Sequence, residues 1–240
     1  VLPLKGLVIV ANYNQIREIG SVLDRLEKHW PKADVLVVDD GSADGSRELA
    51  QSKGYRVEIH PQNMGIGAAI RTGIHFAQSQ GYDFVVISSS NGKIRPEDLP
   101  SVAGPVQRNE ADYTTGSRFM KGGASPGLTP FRRIMIPIFS WGASLLLGRL
   151  FSDITCGFRA YRLSIFKDPR LNIEQEWLNR YELEYYVHYW AAKQPIRIRE
   201  VPVTIPYTHL EKGRKSKIKP FTGWWSMVRP FVLLTLGIRR

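Results

Sequence analysis

Strand-like and helix-like segments alternate four times within the first ninety residues, and this alternation constrains the fold more than any other feature of the chain. Leu7-Val8-Ile9-Val10-Ala11 is an unbroken apolar run, the pattern of a parallel strand buried on both faces. It stops at the polar Asn12-Tyr13-Asn14. From Ile16 to Trp30, the apolar Ile19, Val22, Leu23 and Leu26 fall at helical spacing. Val35-Leu36-Val37-Val38 repeats the strand pattern and runs into Asp39-Asp40-Gly41-Ser42, with Asp44 placed to cap a helix through Ala50. A third strand spans Tyr55 to His60. The turn from Asn63 to Gly67 then feeds a helix from Ala68 to Gln80, and Asp83 to Ser88 is a fourth strand. Such an order predicts an α/β fold, a mostly parallel sheet flanked by helices with right-handed crossovers. Sheets of this kind bind ligands beyond the carboxyl ends of their strands. Asn12, Asp39, Asn63 and Ser89 all stand at such ends.

The second half reads differently. Tyr113 to Arg118 ends another strand, and the glycine- and proline-rich Gly122 to Pro130 is expected to be a loop. Phe131 to Phe151 is apolar and helical in character, interrupted by Pro137. Its face of Ile138, Trp141, Leu145 and Leu146 is flanked by Arg132, Arg133 and Arg149. A tyrosine-rich helix is expected from Trp177 to Lys193 and a strand from Ile196 to Ile205. The basic run Lys212 to Lys217 precedes Trp224-Trp225 and Phe231 to Leu234. That tail falls short of the roughly 18 to 20 uninterrupted apolar residues of a spanning helix, and Arg229 and Pro230 break it. It suits an amphipathic segment in a membrane interface or a helix packed on the domain. Residues 1–205 therefore read as one α/β domain and 206–240 as a basic and apolar, membrane-proximal segment.

Of 240 residues, Lys and Arg exceed Asp and Glu by enough to give a net charge of +11 and a pI near 9.8. That excess points to an anionic partner, whether nucleotide phosphates or an acidic membrane surface, with simple solubilising charge as the other reading. Nucleic acid is not expected, because the basic residues do not interleave with aromatics along a sheet. A single cysteine, Cys156, rules out an internal disulfide and gives no zinc cluster. The five histidines never fall at metal-ligand spacing. No secretory leader is expected, since Val1 runs straight into a strand-like segment.

Chemistry gathers at the strand ends. The Asp39 carboxylate can accept hydrogen bonds from a base or ribose, and Tyr13 offers a flat face. Gly65 and Gly67 let backbone approach a ligand with no side chain between. Taken alone, Asp-Asp-Gly-Ser is a turn leading into a helix. The polar groups at the other strand ends favour a ligand site.

Val37-Val38-Asp39-Asp40-Gly41-Ser42-Ala43-Asp44-Gly45-Ser46 resembles the family-2 glycosyltransferases, closest to the dolichol- or polyprenyl-phosphate sugar synthases. The likeness runs through Asn12-Tyr13-Asn14, Asn63-x-Gly65-x-Gly67-x-Ala69-Ile70-x-x-Gly73, Pro96-Glu97-Asp98-Leu99-Pro100 and Gly116-Ser117-Arg118-Phe119. It continues in Asp153-Ile154-Thr155-Cys156-Gly157-Phe158-Arg159-Ala160-Tyr161 and ends at Val201-Pro202-Val203-Thr204. The resemblance implies a GT-A, Rossmann-like fold with a nucleotide-sugar-binding half (1–118) and an acceptor half (119–205). It implies donor contacts from Asn12, Tyr13, Asn14, Asp39, Gly65, Gly67, Arg71, Ser89, Ser90 and Asn91, with Arg214, Lys215 and Lys217 in a basic segment that closes over the donor phosphates. On the acceptor side it implies Arg132, Arg133 and Arg159, with Glu184 matching a family glutamate near that pocket.

One departure concerns the metal. In the family, an Asp-x-Asp pair holds magnesium or manganese on the donor diphosphate; here those places are Ser89 and Asn91, with Ser90 between and Lys93 two residues on. A hard dication wants anionic oxygen, so no metal ligands are expected and no cofactor is assigned, magnesium or manganese entering only if Asn91 still supports a weak site. Either Lys93 replaces the metal on the leaving diphosphate, with Arg118 assisting, or the protein binds without turnover. The expected reaction is inverting transfer of a hexose from a GDP- or UDP-linked sugar to a polyprenyl phosphate at the cytoplasmic face of a membrane. A hydroxyl acceptor is the alternative; it would need a base, and Asp153 is the first candidate.

Overall fold

The computed structural model describes residues 4–207 and 222–239, with backbone alone for 222–224. The first half alternates as expected: β1 (Gly6–Asn12), α1 (Ile16–His29), β2 (Asp34–Asp39), α2 (Ser46–Ser52), β3 (Arg56–Ile59), α3 (Ile66–Ser79) and β4 (Phe84–Ser89). Then follow α4 (Leu99–Gln107), β5 (Tyr113–Ser117), α5 (Pro130–Leu147), β6 (Arg159–Arg162), α6 (Glu182–Lys193), β7 (Ile198–Pro202) and α7 (Thr222–Thr235). The strands form one sheet in the order β3-β2-β1-β4-β6-β5-β7. β1 pairs in parallel with β2 and β4, β2 with β3, and β5 with β7. β6 is antiparallel to both neighbours, β4 and β5. Every strand but β6 therefore points the same way, and the carboxyl ends of the others share one edge.

The alternation of β1 explains why its apolar run is continuous. Leu7, Ile9 and Ala11 face a core with Ile70 and Ile74 of α3 and Leu183, Tyr186 and Trp190 of α6. Val8 and Val10 face the opposite core, with Ile19 and Leu23 of α1 and Val102 and Val106 of α4. A third apolar cluster joins Ala143 and Leu147 of α5, Tyr185 and Ala192 of α6, and Met227 and Phe231 of α7.

Several expected boundaries shift. Gly45, at φ 87°, stands before α2, and Asp44 instead accepts the Ser46 and Ile16 N–H groups at 3.0 and 2.8 Å, tying α2 to α1. The expected Trp177–Lys193 helix starts at Glu182, after a 3-10 turn at Glu176–Leu178. Neither Pro137 nor Pro230 ends its helix: Ile136 before the first and Phe231 after the second are buried and hold the helices in place. Among the described residues no helix is long and apolar enough to cross a membrane.

Candidate active site at the carboxyl edge of the sheet

Asn12 closes β1 with its side chain buried among the turns that follow β2. Its Nδ2 donates to Asp39 Oδ1 at 2.7 Å, Ser46 Oγ at 2.9 Å and Ser42 Oγ at 3.2 Å. The other Asp39 oxygen accepts the Ser42 N–H at 3.0 Å. Asp39 is fully buried, and its carboxylate sets the β2 turn from beneath. Asn14, held at φ 49°, locks onto the same turn through its N–H to Ser42 Oγ and its Oδ1 from the Ala43 N–H. Tyr13 stands above this turn, 38% exposed.

Asp40, which the sequence reading passed over, organises the next loop. It accepts the ring N–H of His60 (Nδ1) and the backbone N–H groups of Met64 and Gly65, each at 2.8 Å. His60 Nε2 lies 2.9 Å from Thr72 Oγ1 on α3. Gly65 and Gly67 have a purpose other than the one expected. A Cβ on Gly67 would sit 2.0 Å from the Leu178 carbonyl oxygen, and one on Gly65 2.3 Å from that of Asn179. The Asn179 oxygen accepts the Ala68 N–H at 3.1 Å. The glycines admit the chain's own backbone at residues 178–180. Arg71 joins the same seam, donating to Ile173 O at 2.9 Å and Asn179 Oδ1 at 2.5 Å; its expected donor role is replaced by this clamp.

Beyond β4, Ser90 turns inward and both its N–H and its hydroxyl reach the Ala11 carbonyl, at 3.0 and 3.2 Å. It ties β4 to β1 and is not presented to a ligand. Ser89 is half-buried, and Asn91, exposed, accepts the Lys93 N–H at 3.0 Å in an Asx turn. These are neutral oxygens beside a lysine. Among the described residues no group of three or more His, Cys, Asp or Glu side chains could hold a metal ion. The donor set at Ser89, Asn91 and Lys93 does not fit a hard divalent cation.

Arg118 and Asp153 belong to each other. Arg118 Nε and Nη2 donate to the two Asp153 oxygens at 2.7 and 2.8 Å, and the Arg118 N–H adds a third bond at 3.1 Å. Thr155 Oγ1 donates the fourth at 3.0 Å, while Arg118 Nη1 and Nη2 also reach Tyr207 Oη and Thr155 Oγ1. Burial alone would lower the guanidinium's pKa, but the Asp153 bonds outweigh it and raise the pKa. The Asp153 carboxylate thus holds four donors, about as many as its lone pairs can accept. Arg118 is correspondingly a strut, not a free cation for the diphosphate.

Arg159 is corrected in the same way. It is 1% exposed and donates to the carbonyls of Cys156, Ile154 and Glu184 and to Tyr113 Oη, all between 2.7 and 2.9 Å. It pins the motif it closes. Glu184 lies 3.7 Å from Arg159 Nε; burial raises its pKa, with the arginine opposing. Arg132 and Arg133 occupy the first turn of α5, which Thr129 caps by accepting the Arg132 N–H. Arg214, Lys215 and Lys217 lie outside the described residues. Trp177, Arg180, Glu182 and Arg229, none of them expected as ligand groups, line a cavity beside the Asp40-held loop. Glu182 sits two residues before Glu184 in the first turn of α6.

This edge, with its turns after β1, β2, β3 and β4, is where an α/β fold with a mostly parallel sheet binds its ligand. Residues 7–169 match the family model described as glycosyl transferase family 2, and the chain belongs to that family. It is 31% identical to an undecaprenyl-phosphate mannosyltransferase of Micrococcus luteus, over 89% of this chain and 88% of that one. A polyprenol monophosphomannose synthase of Mycolicibacterium smegmatis is 30% identical, over 87% and 79% of the two chains. In fold, glucosyl-3-phosphoglycerate synthase from Mycobacterium tuberculosis, crystallised with Mn2+, UDP and glucosyl-3-phosphoglycerate, superposes with a TM-score of 0.64 at 18% identity. That match covers 99% of this chain and 81% of that one. The protein is a glycosyltransferase with the GT-A fold.

Proposed function

We propose that this glycosyltransferase moves a hexose from a GDP- or UDP-linked sugar to a polyprenyl phosphate at the cytoplasmic face of a membrane, with inversion at the sugar carbon. The observation that carries the reading is the outer face of α5. Phe131, Ile134, Ile138, Trp141 and Leu145 recur at three- and four-residue steps, each between 54 and 63% exposed. Arg132 and Arg133 stand at the start of this stripe, on a helix reached from the carboxyl end of β5. Apolar stripes of this size on a soluble surface mark an interaction site, and a lipid surface satisfies both the stripe and the arginines, which suit a phosphate. The net charge of +11 suits an anionic leaflet.

In the proposed reaction an acceptor phosphate oxygen attacks the anomeric carbon, and the bond from that carbon to the diphosphate oxygen breaks. The bonding pair leaves with the nucleoside diphosphate. Lys93 faces that developing charge in place of a metal. A phosphate acceptor is already ionised and needs no base, which agrees with an Asp153 saturated by Arg118 and Thr155. A hydroxyl acceptor would need a base, and Asp153, the first candidate, already holds four donors.

The test is transfer from GDP-mannose or UDP-glucose to polyprenyl phosphate in anionic vesicles, followed by chromatography of the lipid product. A polyprenyl-phosphate hexose is the expected product. Transfer confined to a soluble hydroxyl acceptor, or none from any donor, would refute the reading.

A further inference from the structure

A cavity of about 450 Å³ opens at the carboxyl edge of the sheet between three elements. Asn63 and Met64 come from the loop after β3, Trp177, Arg180 and Glu182 from the segment entering α6, and Arg229 from α7. Two fixed devices hold the first two walls together: Asp40 anchors the Met64 N–H, and the Gly67 clamp presses α3 onto residues 178–180. Glu182 is the group that remains unexplained. Its side chain is only 5% exposed, and Oε1 lies 3.7 Å from Arg229 Nη1. Oε2 is buried and has no hydrogen-bond partner among the described residues. A buried carboxylate oxygen without a donor is costly unless a ligand completes it. The cavity wall adds a side-chain amide and an indole, and the Arg229 guanidinium lies 5.6 Å from the centre of the Trp177 ring. Hydroxyl groups that both donate and accept, on a ring with an apolar face, match that lining.

We infer that this cavity holds the hexose of the donor, that Glu182 accepts from its hydroxyl groups, and that Arg229 positions Glu182. The inference rests on the proposed use of a nucleotide-linked hexose and assigns the residues that read the sugar. Arg229 acts through Glu182 and through its stacking on Trp177, so the C-terminal helix becomes part of donor selection. Glu184, two residues further along α6, is held against Arg159 on another face and does not share this task.

Calorimetric titration tests this, comparing GDP-mannose, UDP-glucose and UDP-galactose with bare GDP and UDP. The proteins are the wild type and the Glu182→Gln, Arg229→Met and Arg229→Lys variants, each checked for folding by circular dichroism. The expected result is a loss of about tenfold or more in affinity for the sugar-bearing ligand in Glu182→Gln and Arg229→Met, as for a hydrogen bond to a charged group. Bare nucleotide affinity stays within about twofold, the preference between glucose and galactose donors narrows, and Arg229→Lys recovers part of the loss. Should Arg229→Met fail to fold, Glu182→Gln and Arg229→Lys still decide. Equal losses for sugar-bearing and bare nucleotides, or no loss in folded variants, overturn the inference while leaving the proposed function standing. If wild-type protein binds no nucleotide sugar, both fall.

Discussion

At Gly67 the space left for a side chain is filled by the Leu178 carbonyl oxygen, 2.0 Å from where a Cβ would stand. Gly67→Ala should therefore cost about 1–3 kcal/mol by forcing α3 away from residues 178–180. Gly142→Ala, inside α5 with nothing within 4 Å of its Cβ, should gain about 0.5–1 kcal/mol. Urea midpoints of the two variants check both signs. Glu97 offers a pH-dependent counterpart. Burial would raise its pKa, but bonds from Arg25 at 2.9 and 2.6 Å, its own backbone N–H and the Arg95 charge hold it near 2, below the ordinary 4.5. A depressed carboxylate pKa contributes stability above pH 4.5 that is lost as pH falls toward about 2. Arg25 is 36% exposed, so after solvent screening Glu97→Gln should cost about 1 kcal/mol at neutral pH. Its urea midpoint should also vary less than wild type between those two pH values. The sequence showed which residues cluster at the strand ends, and Asn12, Asp39 and Gly65 do meet there. What it could not show is direction. A motif carboxylate or glycine looks the same whether it faces a ligand or the chain itself, and Asp39, Gly67, Arg71, Arg118 and Arg159 all proved to face inward.

Among the elements, β1 to β4 and α1 and α3 were legible because two-sided burial and 3.6-residue spacing leave strong patterns. β6 was not: four residues, Arg159–Arg162, are too few to show alternation, and its neighbours β4 and β5 are far away in sequence. α5 and α7 were read as broken at Pro137 and Pro230, because a proline's missing N–H is visible in sequence and the packing that compensates is not. α5 makes the clearest element-scale prediction, since its two faces behave differently. Ile138→Ser with Trp141→Ser should lower co-sedimentation with anionic vesicles about tenfold and leave the melting temperature within about 2 °C, since both side chains are more than half exposed. Leu147→Ser, at 3% exposure in the cluster with Phe231, should do the reverse and cost about 2–5 kcal/mol. Vesicle binding unchanged in the double variant would remove the argument for a lipid acceptor.

At the scale of the molecule, some charged side chains serve as buried struts while the chain carries a net charge of +11. Arg118, Asp153 and Arg159 are bonded to the chain's own groups, and Ser89, Asn91 and Lys93 stand at and beyond the end of β4. In the proposed reaction, charge on the leaving diphosphate is met by Lys93 and not by a carboxylate-bound metal. The most direct measurement is the initial rate of hexose transfer to polyprenyl phosphate in excess chelator, for wild type and for Lys93→Ala. Lys93 in that role leaves the wild-type rate unaffected by chelator and makes Lys93→Ala slower by about 10²–10³, the scale for removing one preorganised charge from a transition state. A wild-type rate that collapses in chelator and returns with added Mg²⁺ or Mn²⁺ would contradict it.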